Sequence, residues 1–181
     1  MKPKKTQPET PDEIQERDFF QTPNYATDIV ADFLPRGVIW ECAEGHGRIV
    51  ARLRAHGFAV FGTDLLTGQN FLTDQPIKIF DCIVTNPPFS IKRKFFSRCL
   101  SMDEPFALLL PADYSGWMID AVRLYGCEKI IPTRRIDYIT PTGRNGGESA
   151  AQFHSLWLTR GLGLGQSETF VELTKEMKKN I

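Results

Sequence analysis

Ile79-Phe80-Asp81-Cys82-Ile83-Val84-Thr85-Asn86-Pro87-Pro88-Phe89 is the stretch that decides the fold. Its β-branched and aromatic residues read as a buried parallel strand, and the prolines that follow forbid both a further ladder bond and an immediate helix. The chain must turn stiffly after Thr85. In an open α/β sheet, ligands sit outside the carboxyl ends of the strands, so this turn presents an amide, a rigid carbonyl and an aromatic face to a bound molecule. That equipment suits a planar ring bearing an amino group. By itself the tetrapeptide also describes an ordinary proline-stiffened turn with a buried Phe89.

Its neighbours give it context. Upstream, Val38-Ile39-Trp40-Glu41-Cys42-Ala43-Glu44-Gly45-His46-Gly47 reads as a short apolar strand, an acid and a glycine-rich turn. A helix is predicted over 48–56, with Ile49, Val50 and Leu53 at helical spacing. A second strand, 58–62, ends in Thr63-Asp64, about 20 residues past the glycines, where nucleotide-type sites of doubly wound sheets place an acid. Gly45 and Gly47 let the backbone approach a ligand closely, and Asp64 offers oxygens to ribose hydroxyls. Three strand ends thus carry site-like residues in a consistent order.

These motifs resemble the amino-methyltransferases that use S-adenosylmethionine, above all the N6-adenine DNA methyltransferases. Asn86-Pro87-Pro88-Phe89 is similar to their catalytic motif, Glu41 to Gly47 to their cofactor loop, and Asp64 to the acid that holds the cofactor ribose. Asp18-Phe19-Phe20-Gln21-Thr22-Pro23 resembles the segment that closes over the methionine end of the cofactor, and its position before the glycine loop matches the gamma-type motif order. The resemblance spans roughly residues 18–112 and rests on motif order and spacing. It implies a Rossmann-like class I methyltransferase, an α/β fold with a mostly parallel seven-stranded sheet, an antiparallel last strand and helices on both faces. The catalytic residues it implies are Asn86, Pro87, Pro88 and Phe89. Phe20, Thr22, Pro23, Glu41, Ala43, Gly45, Gly47, Asp64, Asp74 and Asn86 would hold S-adenosylmethionine, with Asp74 on the cofactor's adenine amino group. Cys42 and Glu44 depart from the family pattern, which usually has a proline and a small residue there. Glu44 either contacts the methionine amino group or is solvated.

Composition limits the alternatives. The 181 residues are 41% hydrophobic, enough for one domain with a real core. Residues 1–17, rich in proline and charge, are expected to be a flexible tail, 18–160 the methyltransferase domain with no separate target-recognition domain, and 161–181 a polar tail with room for a short helix. No run approaches the roughly 20 apolar residues of a membrane span, and no signal peptide is visible, so the expectation is a soluble cytoplasmic protein. Cys42, Cys82, Cys99 and Cys127 form no Cys-x-x-Cys pair, and none follows a proline. They read as reduced structural thiols, not as zinc ligands or as the thiol nucleophile of the cytosine methyltransferases. His46, His56 and His154 lack ligand spacing, so no metal is expected.

Beyond the turn, helices are predicted over 24–33, 91–100 and 112–125, and strands over 37–41, 105–110, 127–131 and 153–159. The long connection 132–152 carries Arg134, Arg135 and Arg144, and 92–94 is a basic run. Lys92, Arg93, Arg134, Arg135 and Arg144 are therefore candidate phosphate contacts, although the formal net charge of zero gives the whole chain no nucleic-acid signature. The partner expected is DNA, with RNA or a protein glutamine amide as alternative substrates carrying the same NH2 group on an sp2 carbon. A homodimer or a specificity subunit would supply what a target-recognition domain otherwise does. The alternative of another class is a non-catalytic module that binds cofactor or nucleic acid.

Overall fold

The computed structural model describes residues 18, 20–140 and 153–181. Among the described residues there are four α-helices and seven strands. They are α1 (Asn24–Ala31), β1 (Val38–Glu41), α2 (Arg48–Ala55), β2 (Ala59–Gly62), β3 (Cys82–Thr85), α3 (Lys92–Met102), β4 (Phe106–Pro111), α4 (Gly116–Tyr125), β5 (Glu128–Pro132), β6 (Ser155–Arg160) and β7 (Glu168–Val171). The sheet order is β2-β1-β3-β4-β6-β5-β7. β6 runs antiparallel to both β4 and β5, and the other pairings are parallel.

The apolar strands sort their side chains by the two-residue period of the pleat. Ile39, Cys82, Val84, Ala107, Leu109 and Trp157 face one core, with Tyr25, Ile29 and Val30 of α1 and Leu53 of α2. Trp40, Ile83, Phe106, Leu108, Leu110 and Leu158 face the other, with Phe95 and Phe96 of α3 and Met118 and Ala121 of α4. Burial on both faces is why β3 and β4 are continuously apolar. The helices accordingly cover both sides of the sheet, and the α/β expectation holds.

Two boundaries differ from the sequence reading. β3 begins only at Cys82, because Ile79 lies outside the sheet and is 92% exposed. Asp81 closes the entry instead: its Oδ2 accepts the Val38 N–H at 2.7 Å, and its own N–H donates to the Val38 carbonyl at 2.8 Å. The stretch after Gly161 is not simply a polar tail. It adds β7 in parallel beside β5, from Lys129↔Glu168 to Pro132↔Val171, and buries Leu173. The antiparallel strand is therefore β6, and the chain's last strand is a parallel addition at the sheet edge. Phe170, 66% exposed on that edge strand, hides the alternation that would have announced it.

Strand order reverses between β1, which leads outward to β2, and β3, which leads the other way to β4. A crevice opens outside the carboxyl ends of strands at such a switch point.

Candidate active site at the switch point

A cavity of about 480 Å³ occupies that crevice, within the roughly 300–1,000 Å³ common for small-molecule sites. Four groups of residues wall it: 18 and 20–22, the glycine loop after β1, residues of the stretch 64–73 after β2, and the turn after β3 with the first turn of α3.

The glycine loop takes its shape from local backbone geometry. Gly45 and Gly47 have φ of 53° and 74°, where a side chain would be strained. Gly47 ends the loop and α2 begins at Arg48. Asp64 fixes this loop from β2, with Oδ2 accepting the Gly45 N–H at 2.9 Å and Oδ1 accepting the Leu66 N–H at 2.8 Å. Glu44 lines the cavity too, and its carboxylate lies where a side chain at residue 62 would be, only 2.2 Å from a Cβ added to Gly62. β2 must end in glycine for Glu44 to sit there.

Below the loop lies Glu41, buried at the end of β1. Its Oε1 accepts the Ala43 N–H at 3.0 Å, while Oε2 has no well-formed hydrogen bond among the described residues. Burial pushes its pKa up to about 8. The nearby carboxylates of Glu44 and Asp64 raise it further, and the Thr85 hydroxyl and Ala43 amide oppose the rise. Glu41 thus holds a proton at neutral pH.

Residues 18 and 20–22 of the lining are tied to distant segments by long-range bonds. The Ser90 hydroxyl donates to Asp18 Oδ2 at 2.7 Å, and Arg48 Nε donates to the Thr22 carbonyl at 3.0 Å. Gln21 exchanges two backbone bonds with Ile139, at 2.8 and 3.0 Å. Opposite them, Leu65, Leu66, Phe71, Leu72 and Phe95 form an apolar wall.

The turn after β3 places Asn86 and Pro88 in the cavity wall, with Pro87 buried behind them. Asn86 Oδ1 is buried and has no partner among the described residues. Leaving an amide oxygen buried and unpaired costs about 1–3 kcal/mol, so the protein holds an acceptor in reserve at this point. The Thr85 hydroxyl likewise makes no well-formed hydrogen bond among the described residues, so the ends of the adjacent strands β1 and β3 both carry unsatisfied oxygens.

Of the residues expected to hold a cofactor, Phe20, Thr22, Ala43, Gly45, Asp64 and Asn86 line the cavity. Pro23 caps α1, and Glu41 and Gly47 support the loop from outside the lining. Asp74 lies outside the cavity lining. Its Oδ2 accepts the Asn70 N–H at 2.8 Å and its Oδ1 accepts the Thr73 hydroxyl at 2.9 Å, so it closes a tight turn and leaves the wall to Asn70. Phe89 is half-buried outside the lining, edge-on to Tyr138 and Phe153 at centroid distances of 6.0 and 5.7 Å.

The candidate phosphate contacts divide. Lys92 pairs with Asp113 at 3.2 Å, Arg93 lies over the Trp117 ring at 5.6 Å, and Arg134 and Arg135 are exposed. Arg144 lies outside the described residues. The sequence reading did not single out the apolar wall or Arg48, and Lys94 of the basic run 92–94 lines the cavity as well. Arg48 could have been suspected, since it opens the helix directly behind the glycine loop. The four cysteines are buried and free. Burial pushes the Cys82 and Cys127 thiols up to about 12 and those of Cys42 and Cys99 upward as well, which keeps them inert. Among the described residues no cluster of His, Cys, Asp and Glu could hold a metal ion, and no helix is long and apolar enough to cross a membrane.

No protein-family model and no curated protein matches this chain. Solved structures do. A putative RNA methyltransferase, PH1948 from Pyrococcus horikoshii, is similar at 11% identity with a TM-score of 0.54, over 77% of this chain and 84% of that one. The methyltransferase subunit of a type I restriction-modification system from Streptococcus thermophilus is similar at 12% identity with a TM-score of 0.58, over 88% of this chain. This chain spans about half of that subunit, 51%. The fold is the Rossmann-like fold of methyltransferases.

Proposed function

We propose that the protein transfers a methyl group from S-adenosylmethionine to the N6 amino group of adenine in DNA. The observation that carries this reading is the buried, unpartnered Oδ1 of Asn86 in the wall of a cavity that fits the cofactor. The fit rests on complementary chemistry. Asp64 offers carboxylate oxygens to ribose hydroxyls. Leu65, Leu66, Leu72 and Phe95 offer an apolar slot to a purine, and Glu44 offers a negative charge to the cationic methionine end. Thr22, Phe20 and Gln21 close over that end.

When bound, S-adenosylmethionine supplies a methyl group on a positively charged sulfur, which is electrophilic without a metal. The residues of the chain prepare the nucleophile. The exocyclic nitrogen of adenine is weak because its lone pair is delocalised into the ring. Asn86 Oδ1 and the Pro87 carbonyl accept its two N–H bonds, draw it toward tetrahedral geometry and localise the pair. With the cofactor bound, its sulfonium would give up the methyl group to that nitrogen, the sulfur keeping the bonding pair, and the surplus proton of the amine would leave to water. Phe89 stacks against the base, a contact worth about 1–3 kcal/mol in single-strand binders, which offsets part of the few kcal/mol spent in flipping a duplex base. Holding both reactants in line supplies much of the rate. Arg93, Arg134 and Arg135 face solvent as phosphate contacts.

An RNA adenine is the second reading, favoured by the similarity to PH1948 over most of both chains. Transfer of tritiated methyl from labelled cofactor to duplex DNA, single-stranded DNA, RNA and protein, followed by nucleoside analysis, tests both. N6-methyladenine from DNA is the expected product. Label in a protein glutamine would replace the proposal.

A further inference from the structure

The formally neutral composition conceals a basic and aromatic strip on the α3 side of the molecule. A shallow depression beside the cofactor cavity is walled by Arg93, Lys94, Ser97 and Arg98 with Leu72, and Leu72 and Lys94 border both hollows. Arg98 serves the wall itself, donating to the carbonyls of Phe71 and Asp74. Arg93 leaves the depression toward α4, where its guanidinium lies 5.6 Å from the centre of the Trp117 ring and Lys92 Nζ lies 5.8 Å from the same ring.

The strip continues into the loop between β4 and α4. Asp113 accepts from Lys92 at 3.2 Å, from the Ser115 N–H at 3.0 Å and from the Ser115 hydroxyl. Those bonds pin the residues on both sides of Tyr114, whose own side chain is 86% exposed. Lys129 Nζ lies 5.8 Å from the Tyr114 ring centre and is itself held by Glu168 at 3.0 Å.

A single exposed aromatic is ordinary. Here three cations lie against two rings, Tyr114 on the loop after β4 and Trp117 in the first turn of α4. β4 neighbours β3, whose carboxyl end carries Asn86. Rings that stack bases, bordered by cations that meet phosphates, are the equipment of single-strand binding.

We propose that this strip is the track for the nucleic-acid strand bearing the target base, with a flanking base stacked on Tyr114 and its phosphates against Arg93 and Lys94. The inference rests on the nucleic-acid reading above and assigns the gripping of the strand to α3 and the β4–α4 loop. Lys92 and Lys129, each paired with a carboxylate, hold the rings in place.

Fluorescence anisotropy of labelled adenine-containing single strands, DNA and RNA in parallel, tests the track on the full chain. Tyr114→Ala should weaken binding about tenfold, the loss of one stacked base, while Tyr114→Phe keeps it. Arg93→Ala should flatten the slope of log affinity against log salt by about 0.7. Calorimetric affinity for S-adenosylmethionine should stay unchanged in all three variants, which shows them folded. Trp40 and Trp157 are fully buried, so bound strand should reduce acrylamide quenching through Trp117 alone. Wild-type affinity in Tyr114→Ala, from a protein that does bind and methylate these strands, overturns the track and leaves the proposed function standing. A wild type that binds no strand at low salt overturns the nucleic-acid reading and the track with it.

Discussion

On the β1–β2 side of the cavity, polar groups are fixed by the backbone. Asp64 takes two amides, the Thr22 carbonyl receives Arg48, and Gln21 is laced to Ile139. On the side of α3 and the segment after β5, Arg93, Arg134 and Arg135 stand in solvent, and Asn86 Oδ1 has no partner among the described residues. The first side is pre-formed for a small ligand of constant shape, since groups already in place cost little ordering on binding. The second keeps its acceptor and cations for a molecule that arrives from outside. The contrast predicts that damage will separate cleanly into loss of cofactor affinity and loss of chemistry or strand binding.

The largest effect is expected at Asn86. Asn86→Ala should lower turnover about a hundredfold or more while calorimetry finds cofactor affinity nearly unchanged, because the acceptor acts on the target amine in the transition state. A variant with near wild-type turnover would remove the assigned mechanism whatever the fold. Asp64→Ala should do the reverse. Without its oxygens the glycine loop loses its tether and the ribose its acceptor, so cofactor affinity should fall about tenfold or more. Unchanged affinity in a folded Asp64→Ala protein would take Asp64 out of the site.

Glu41 sharpens the comparison through stability. Its folded pKa is raised to about 8 from an ordinary 4.5, so between those values the folded protein retains a proton that the unfolded chain releases. Stability from this group is therefore present below about pH 4.5 and lost as pH rises through about 8. Glu41→Gln removes the dependence, so the melting temperature of wild type relative to the variant should fall across that window and level off above it. Parallel curves would mean that Glu41 is ionised in the folded protein. The smallest effect is expected for Arg134→Ala with Arg135→Ala. The salt slope of nucleic-acid affinity should become shallower by about 0.7–0.9 for each phosphate that an arginine no longer neutralises, with cofactor binding untouched.

The pre-formed side was the more legible in sequence because its features are local. A strand, an acid and glycines at fixed spacing specify a loop wherever the rest of the chain goes; on the other side only the turn at Asn86-Pro87-Pro88 is as local. What stayed hidden depends on distant partners or on one torsion. Ser90 meets Asp18 across 72 positions, which no local pattern announces. Asn70 and Asp74 sit in the same tight turn, and only the folded backbone decides which of them faces the cavity. β7 went unread because an edge strand with Phe170 in solvent lacks the buried alternation that marks a strand. Ile79 erred the other way, apolar in sequence yet beyond the reach of β1.

A cavity at the switch point that is a cofactor site complete in itself should fill without any help from substrate. Titrating S-adenosylmethionine into the purified protein in a calorimeter, with no nucleic acid present, measures that. The expected result is one site of micromolar affinity, weakened in Asp64→Ala and preserved in Asn86→Ala. No binding by the folded wild-type protein at millimolar cofactor would contradict it.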